Sequence, residues 1–407
     1  MKKAVLLFAM CAALAISFSL FASGPAEAPT GFDGLTNGLV VQDDMAAALV
    51  QFSEPEKAVP NGLGPLFNAV SCVDCHQSIA DGGHSQIREL RAGHLDRHGN
   101  FVGAMITLNN GSKVGPRSLI NQRAICPDAI GQLSPAENIR ALRLSLPLFG
   151  DGFVEAVADE DLLKIAKHQR ESTGGQIHGQ AIFVDIAEVK GAKRIGRFGW
   201  KDQHASLLSF SSDAYLNEMG VTNQFAPDEV TKVCNPTSGI QDPNNVEDID
   251  KFTTFMRALK APPRDQTLAS SLDAQIGADL FERIGCQTCH VNTLRTVPAG
   301  TKLNGENYVV SPAIGDKAFH PYGDFLLHDI GTGDGIVQNG PPNTRNKVRT
   351  MPLWGVRTRV EFLHDGRARD LFEAIRLHNE EAEEARERFN KLSQEEKARI
   401  ITFLKSL

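Results

Sequence analysis

The sequence predicts a mainly α-helical protein made of two similar domains with long loops, the first domain carrying large insertions. Three observations lead to this fold class. A Cys-x-x-Cys-His motif occurs once in each half, segments around each motif repeat, and 36 glycines and 20 prolines interrupt most helical patterns. Repeated segments indicate a duplicated structural unit, and frequent glycine and proline favour short helices between loops.

The two motifs are Cys72-Val-Asp-Cys75-His76 and Cys286-Gln-Thr-Cys289-His290. Two cysteines at this spacing can form thioethers with the two vinyl groups of one haem, and the adjoining histidine can bind the iron. A redox dithiol and half of a zinc site are the alternatives for a lone Cys-x-x-Cys pair. The histidine after both pairs favours haem. We therefore expect two covalently bound haem c groups, with the cysteines as attachment residues and His76 and His290 as iron ligands.

Residues 1–22 have the pattern of a secretory signal peptide. Lys2 and Lys3 precede an apolar run over residues 4–21, and small residues follow from Ala22. We expect cleavage near Ala22 and a periplasmic location, with an uncleaved membrane anchor as the alternative. After Pro29 no apolar stretch is long enough to span a bilayer, so no membrane span is expected in the mature protein. The formal net charge of −7 and the lack of a basic run argue against nucleic-acid binding.

Two cysteines, Cys126 and Cys234, are left over after the signal peptide and the haem motifs are accounted for. In an oxidising compartment they could form a disulfide, and two separately buried thiols are the alternative.

The internal repeat defines two domains, residues 23–263 and 264–407. Helical patterns are predicted over residues 246–259, 271–284 and 394–407. A helix leading into the haem motif and a terminal helix packing on it are typical of cytochrome c, so we predict two cytochrome c-like haem domains. The first half is longer, with insertions before Arg143 and between Gly150 and Gly199. The matching segments are 66–72 with 280–286, 143–150 with 349–355, and 254–259 with 402–407.

The occupant of the sixth iron position decides whether each haem reacts or only carries electrons. An overlay of the halves sets Phe198 on Phe362 and places Ala214 where the second half has His378. We infer that His378 is the sixth ligand of the second haem, with Met351 as the competing ligand. The first haem would be open or closed by a loop histidine; the candidates are His84, His94, His98 and His178, with His178 ranked first.

A reactive first haem needs a proton-transferring group and an electron path. Glu218 follows Trp200 by 18 residues, and a helix that folds back could set both near the iron. A carboxylate can move a proton between peroxide oxygens, and an indole is readily oxidised. We therefore take Glu218 as the acid–base residue and Trp200 as an electron relay. The alternatives are a solvated glutamate and a packed tryptophan.

The chain resembles the bacterial di-haem cytochrome c peroxidase superfamily, and most closely its branch of di-haem, or thiol, oxidoreductases. The motifs that carry the resemblance are residues 197–201, 329–335 and 362–368. It implies a tryptophan between the haems and a distal glutamate, which Trp200 and Glu218 match, and a ligand at the spacing of His378. Residues 201–203 depart from it, since they replace an Asp-Gly-Arg sequence with Lys-Asp-Gln.

The resemblance implies a periplasmic di-haem oxidoreductase that reduces hydrogen peroxide at the N-terminal haem. Electrons would enter through the C-terminal haem from a small cytochrome c or a similar periplasmic donor. The family also implies a Ca²⁺ ion as an optional bridge between the domains. A non-enzymatic di-haem electron carrier is the alternative from another class, and oxidation of another substrate by a high-valent haem is the third.

Overall fold

The fold was examined in a computed structural model that describes residues 25–235, 239–242 and 248–407. The predicted signal peptide and the first two residues of the predicted helix 246–259 lie outside these ranges. The helices are α1 Gln42–Ser53, α2 Asp151–Glu155, α3 Asp159–Ser172, α4 Leu207–Met219, α5 Asp248–Ala258, α6 Gln266–Ala269, α7 Leu272–Arg283, α8 Leu371–Arg376, α9 Glu383–Lys391 and α10 Gln394–Ser406. Short 3-10 turns lie at Cys72–Asp74, Pro127–Ala129, Cys286–Thr288, Pro342–Thr344, Val356–Thr358 and Glu380–Ala382.

The strands are short, apart from three in the first half. They are β1 Ala26–Glu27, β2 Leu66–Phe67, β3 Arg88–Leu95, β4 Phe101–Leu108, β5 Lys113–Arg117, β6 Leu119–Ile120, β7 Arg123–Ala124, β8 Gly131–Leu133, β9 Ile139–Leu144, β10 Phe183–Asp185, β11 Lys193–Ile195, β12 Leu294–Arg295, β13 Lys302–Leu303, β14 Tyr308–Val309, β15 Lys317–Phe319, β16 Leu327–His328 and β17 Val348–Arg349.

Helices α7 and α10 pack against each other and form a core of the second half, as their apolar patterns predict. Gly277 of α7 allows the close approach, because a Cβ there would lie 2.0 Å from the carbonyl oxygen of Arg399. Ser393 and Glu396 form a capping box that fixes the start of α10. Phe281 and Phe403 meet in the core between the two helices, with ring centroids 5.3 Å apart.

The equivalent pair in the first half is α1 with α5, which meet through Phe52 and Phe255 at a centroid distance of 4.7 Å. The overlay of residues 66–72 on 280–286 does not carry over to secondary structure. Leu66–Phe67 is a strand that pairs with Arg123–Ala124, whereas residues 280–283 are helical. A loop therefore separates α1 from the first haem motif, and the sequence overlay missed this helix.

The expected mainly α-helical fold is not confirmed, because the chain is 31% helical and 19% strand. Much of the strand lies in a six-stranded sheet in which β3 and β4 are central and β5, β6, β8 and β9 pair with them, all antiparallel. Ala104, Ile106 and Leu108 point from β4 into its core, with period two. The insertion before Arg143 is thus a sheet and not a set of loops.

The two halves share the largest apolar core, which contains Phe153 of the first half and Phe319 and Trp354 of the second. Phe319 lies 6.2 Å from Phe153 and 5.7 Å from Trp354, measured between ring centroids. Strand β1 also pairs in parallel with β15 of the second half. The division at residue 263 stays a prediction, and the halves meet over a broad apolar contact.

Cys126 and Cys234 form a disulfide, which is the first of the two alternatives that the sequence left open. The bond joins the segment between β7 and β8 to the loop after α4. Among the residues that the structure describes, no helix has the length and apolar character needed to cross a membrane.

Candidate functional site

Both Cys-x-x-Cys-His motifs fold into a short turn that presents the cysteines and the histidine to one cavity wall. The turns are Cys72–Asp74 and Cys286–Thr288. The backbone N–H of His76 donates to the carbonyl of Cys72 at 3.1 Å, and that of His290 to Cys286 at 3.0 Å. Each motif lines its own cavity, with volumes of about 240 and 170 Å³. We call these the first and the second cavity.

The predicted iron ligands share one hydrogen-bonding arrangement. Nδ1 of His76 donates to the carbonyl of Gly83 at 3.1 Å, and Nδ1 of His290 to Tyr322 at 2.9 Å. Nδ1 of His378 donates to Ala374 at 2.8 Å. A carbonyl can only accept, so each Nδ1 carries the proton and each Nε2 keeps its lone pair, as a metal-binding histidine requires. Burial also lowers the pKa of all three imidazoles, which favours the neutral form.

The motif cysteines suit thioether attachment better than thiolate chemistry. All four are unpaired. Burial raises the pKa of Cys75 and Cys286 to about 12 and raises that of Cys72 and Cys289 as well. A redox dithiol or a zinc site needs a stabilised thiolate, and these surroundings disfavour one.

Buried arginine N–H groups without a hydrogen-bond partner fit the anionic propionates of a haem. In the first cavity this group is Nε of Arg88, and in the second it is Nη2 of Arg359 and Nε of Arg386. A buried arginine N–H group that has no acceptor lowers the stability of the folded protein. A carboxylate of a bound cofactor is therefore the expected partner. The residues present therefore fit a haem in each cavity.

Cys289, Asp324 and His328 are the one group of potential metal ligands found among the described residues. Nε2 of His328 contacts Asp324 at 2.9 Å and Nδ1 contacts Glu381 at 2.8 Å. Both ring nitrogens are engaged with carboxylates, which leaves no lone pair for a metal. Asp324 and His328 instead brace the second haem motif.

Trp200 lines both cavities and is 5% exposed. Its Nε1 donates to the carbonyl of Leu144 at 2.8 Å, and its ring meets His364 edge-on with centroids 6.1 Å apart. His364 is the residue that the sequence overlay sets on Trp200. The equivalent positions of the two halves thus meet between the cavities.

Helices α4 and α8, which line the first and the second cavity, start at equivalent residues. Ser206 caps α4 and Asp370 caps α8, and the overlay aligns them without a gap. At one overlaid position, the first cavity has Ala214 and the second has His378. At the other, the first cavity has Glu218 and the second has Ala382. The first cavity therefore has a small residue and an acid, and the second has a histidine and a small residue.

Glu218 belongs to an acid pair in the wall of the first cavity. Asn68 donates to its carboxylate at 2.7 Å. Arg91 binds Glu89 through two N–H groups, each at 2.8 Å. Burial, followed by the charge of Glu89, raises the pKa of Glu218 to about 8, whereas Arg91 keeps the pKa of Glu89 low although burial opposes it. These opposite shifts favour a pair that shares one proton near neutral pH, with Glu218 as the carboxyl that holds it more strongly.

The loop histidines do not line the first cavity. His94 contacts Glu137 at 2.7 Å, His98 accepts from Arg97 at 3.0 Å, and His84 pairs with Ser78 through its backbone. His178 contacts Glu381 of the second half at 4.0 Å. Among the described residues, no histidine faces His76 across this cavity.

Met351 stays a competing ligand for the second haem, since it lines the second cavity together with His378. Its sulfur accepts from Arg349 at 3.9 Å.

Sequence reasoning missed Glu89 and Arg91, which reach the first cavity from β3. They lie two residues apart and so share one face of the strand. The only available signal was a cluster of charged residues within 88–91, and it could not be assigned a role because the sequence does not show that this strand covers the cavity.

Comparison with known proteins identifies the family of this chain. A family model described as "Di-haem oxidoreductase, putative peroxidase" matches residues 131–407, which include the second haem motif but not the first. No curated protein matches the sequence. Among solved structures, Kuenenia stuttgartiensis hydrazine synthase pressurized with xenon is 13% identical, with a TM-score of 0.41 and all of both chains covered. A MauG-like protein associated with microbial copper homeostasis is 15% identical, with a TM-score of 0.41, covering 96% of this chain and 94% of that one. The family model covers more than half of the sequence, and the chain belongs to the di-haem oxidoreductase family.

Proposed function

We propose that this protein is a periplasmic peroxidase that reduces hydrogen peroxide at the haem of the first cavity. Two haem c groups would be attached covalently at the cysteine pairs, and electrons would enter through the second haem from a small cytochrome c. The observation that carries the proposal is that the two cavity walls have different residues at two overlaid positions. Ala214 and Glu218 leave room and a proton for a substrate, whereas His378 and Ala382 supply a ligand and no acid.

A haem in the first cavity would supply the redox chemistry and the binding position for peroxide. Peroxide cleavage also needs a proton on the oxygen that leaves as water, and Glu218 is placed to give it. Asn68 fixes one carboxyl oxygen of Glu218, and Arg91 holds Glu89 ionised beside it. The pair can then take up the proton that the other peroxide oxygen loses, so it returns to its starting state after each turnover.

The second cavity supports an electron-carrying haem. His290 and His378 line it, and the Nδ1 of each donates to a carbonyl, so the Nε2 of both residues would be available to bind the iron of a haem there. Trp200 contacts both cavities and offers an oxidisable ring on the path between them. A haem with both axial positions filled passes electrons and does not bind peroxide.

The test is electron paramagnetic resonance of the purified holoprotein, oxidised and half-reduced, before and after one equivalent of H₂O₂. We expect one high-spin and one low-spin ferric signal, with loss of the high-spin signal on addition of peroxide. Two low-spin signals that do not change when peroxide is added would refute the proposal and favour an electron carrier. Peroxide consumption without oxidation of reduced cytochrome c would favour another oxidisable substrate.

Covalent attachment is tested separately by mass spectrometry of the denatured protein. We expect the mass of the chain, less residues 1–22, plus two haems. Loss of haem on denaturation would refute the thioether assignment but leave peroxide reduction to the spectroscopic test.

A further inference from the structure

The segment after Trp200 carries a lysine whose ammonium is enclosed by oxygen atoms of the other half. Lys201 is fully buried. Its Nζ donates to the carbonyls of Thr344 at 2.9 Å, Arg345 at 3.0 Å and Lys347 at 2.5 Å, and lies 3.3 Å from Oδ1 of Asp334. We call these four oxygens the oxygen cage. An ammonium has three N–H donors, so the three carbonyls use all of them and the carboxylate balances the charge.

Three carbonyls and one carboxylate that converge on a buried point form a site for a cation. Oxygen ligands of these two types are the ones that Ca²⁺ takes in proteins. Without a positive charge the four oxygens would face one another in a buried space, which costs free energy. Burial lowers the pKa of Lys201 to about 8, which leaves the ammonium charged at neutral pH.

The oxygen cage is held in place by contacts other than Lys201. Arg143 binds Oδ2 of Asp334 at 2.7 Å, and the backbone N–H of Ile336 donates to Oδ1 at 3.0 Å. The loop of Asp334 packs tightly on residues 344–347, because a Cβ at Gly333 would lie 2.2 Å from the carbonyl oxygen of Asn346. The cage should therefore survive removal of the lysine side chain.

We propose that Lys201 is a built-in substitute for a metal ion at the joint between the two halves, and that the cage accepts a divalent cation such as Ca²⁺ once the lysine side chain is removed. The expected Ca²⁺ bridge would then not form at this joint in the native chain. Lys201 is a positioning residue, since its backbone follows Trp200 and its ammonium fixes that segment to the second half. The inference does not rest on peroxide chemistry.

The experiment compares the native holoprotein with the Lys201→Ala and Lys397→Ala variants, each in EDTA and in about 1 mM Ca²⁺, by thermal unfolding and by calorimetric titration with Ca²⁺. Lys397 is the matched control, because it is also buried and donates to a carbonyl, that of Asn390, but lies on α10 away from the joint. We expect Lys201→Ala to lower Tm by several degrees in EDTA and Ca²⁺ to restore most of this loss. Ca²⁺ and EDTA should not change Tm of the native protein or of Lys397→Ala.

Two results would overturn the proposal. In the first, EDTA lowers Tm of the native protein and Ca²⁺ restores it, so that the native chain itself depends on a metal. In the second, Lys201→Ala binds no Ca²⁺, or does not fold as holoprotein even with Ca²⁺ present, since a vacated cage should accept the ion. Both readouts are independent of catalytic activity.

Discussion

At the scale of single residues, the two cavities differ at two overlaid positions of their walls. Ala214 and Glu218 lie one turn apart on α4 in the first cavity, whereas His378 and Ala382, which the sequence overlay sets on them, lie beyond the end of α8 in the second. A histidine can fill an axial position, whereas alanine cannot. Under the proposed function, these two pairs of side chains would make one haem reactive and the other electron-carrying.

Replacing the acid tests its role directly. Glu218→Gln keeps the size of the side chain but cannot donate the carboxyl proton, so peroxide turnover should fall by about 100-fold. Native turnover should also fall as the pH rises through about 8, because the proton on Glu218 is lost above its raised pKa. The variant should lack this alkaline fall. Steady-state rates with reduced cytochrome c across pH 6–9 measure both effects.

Glu137→Gln is the matched control for this experiment. Glu137 is also buried and hydrogen-bonded, to His94 and to the backbone of Met105, but it does not line the cavity. Its rate and pH profile should equal those of the native protein. Equal losses in both variants would mean that Glu218 acts only through stability.

Ala214 offers the opposite change, the introduction of a ligand. Ala214→His should close the first haem, convert its high-spin signal to a low-spin one and abolish its reaction with peroxide. The second haem serves as the internal control, since its spectrum should not change. A variant that keeps a high-spin signal and native turnover would show that position 214 does not face the iron.

At the scale of elements, the paired helices of the second domain followed from the sequence, whereas the sheet did not. The apolar residues of α7 and α10 recur on one face over three turns, and such a pattern can be recognised from the sequence of the helix alone. Strand β4 has three inward apolar residues beside a glycine, and its partner β8 begins 23 residues after β4 ends (108 to 131), so pairing rather than local pattern decides its fold. Glu89 and Arg91 could not be assigned for the same reason, because only the sheet brings them to the cavity.

The close contact between α7 and α10 predicts a stability effect opposite to the one expected from helix propensity. Gly277→Ala should destabilise the protein by about 1–3 kcal/mol, because the added Cβ meets the Arg399 carbonyl and the helices must separate. In an uncrowded helix the same change stabilises by about 0.5–1 kcal/mol. Denaturant unfolding gives the sign. Asp279→Ala, at an exposed position of α7, is the control and should change stability little.

At the scale of the whole molecule, the halves form one unit whose two cavities share a side chain. The overlay aligned Trp200 with His364, and the structure brings these equivalent residues into contact at the joint. The sequence could match their positions but could not show that they meet, since an internal repeat carries no information on how the repeats are arranged. The shared apolar core and the Lys201 contacts fix that arrangement.

The position of Trp200 predicts a defect in communication between the haems. Trp200→Phe removes the indole and its hydrogen bond to Leu144, so electron transfer from the second haem to the first should slow by at least about tenfold, equal to about 1.4 kcal/mol of added barrier. Stopped-flow mixing of half-reduced protein with H₂O₂ measures this rate. The chain offers a matched control in its other tryptophan, Trp354, which packs on Phe319 and lines neither cavity.

Trp354→Phe should cost packing energy but leave the rate of transfer unchanged. If both variants transfer electrons at the native rate, the path between the haems does not use the indole, and Trp200 is a packed residue of the joint. If both slow equally, the change is one of general packing in the shared core. A selective loss in Trp200→Phe is the outcome that assigns the relay, because it separates the ring between the cavities from the ring that only fills the core.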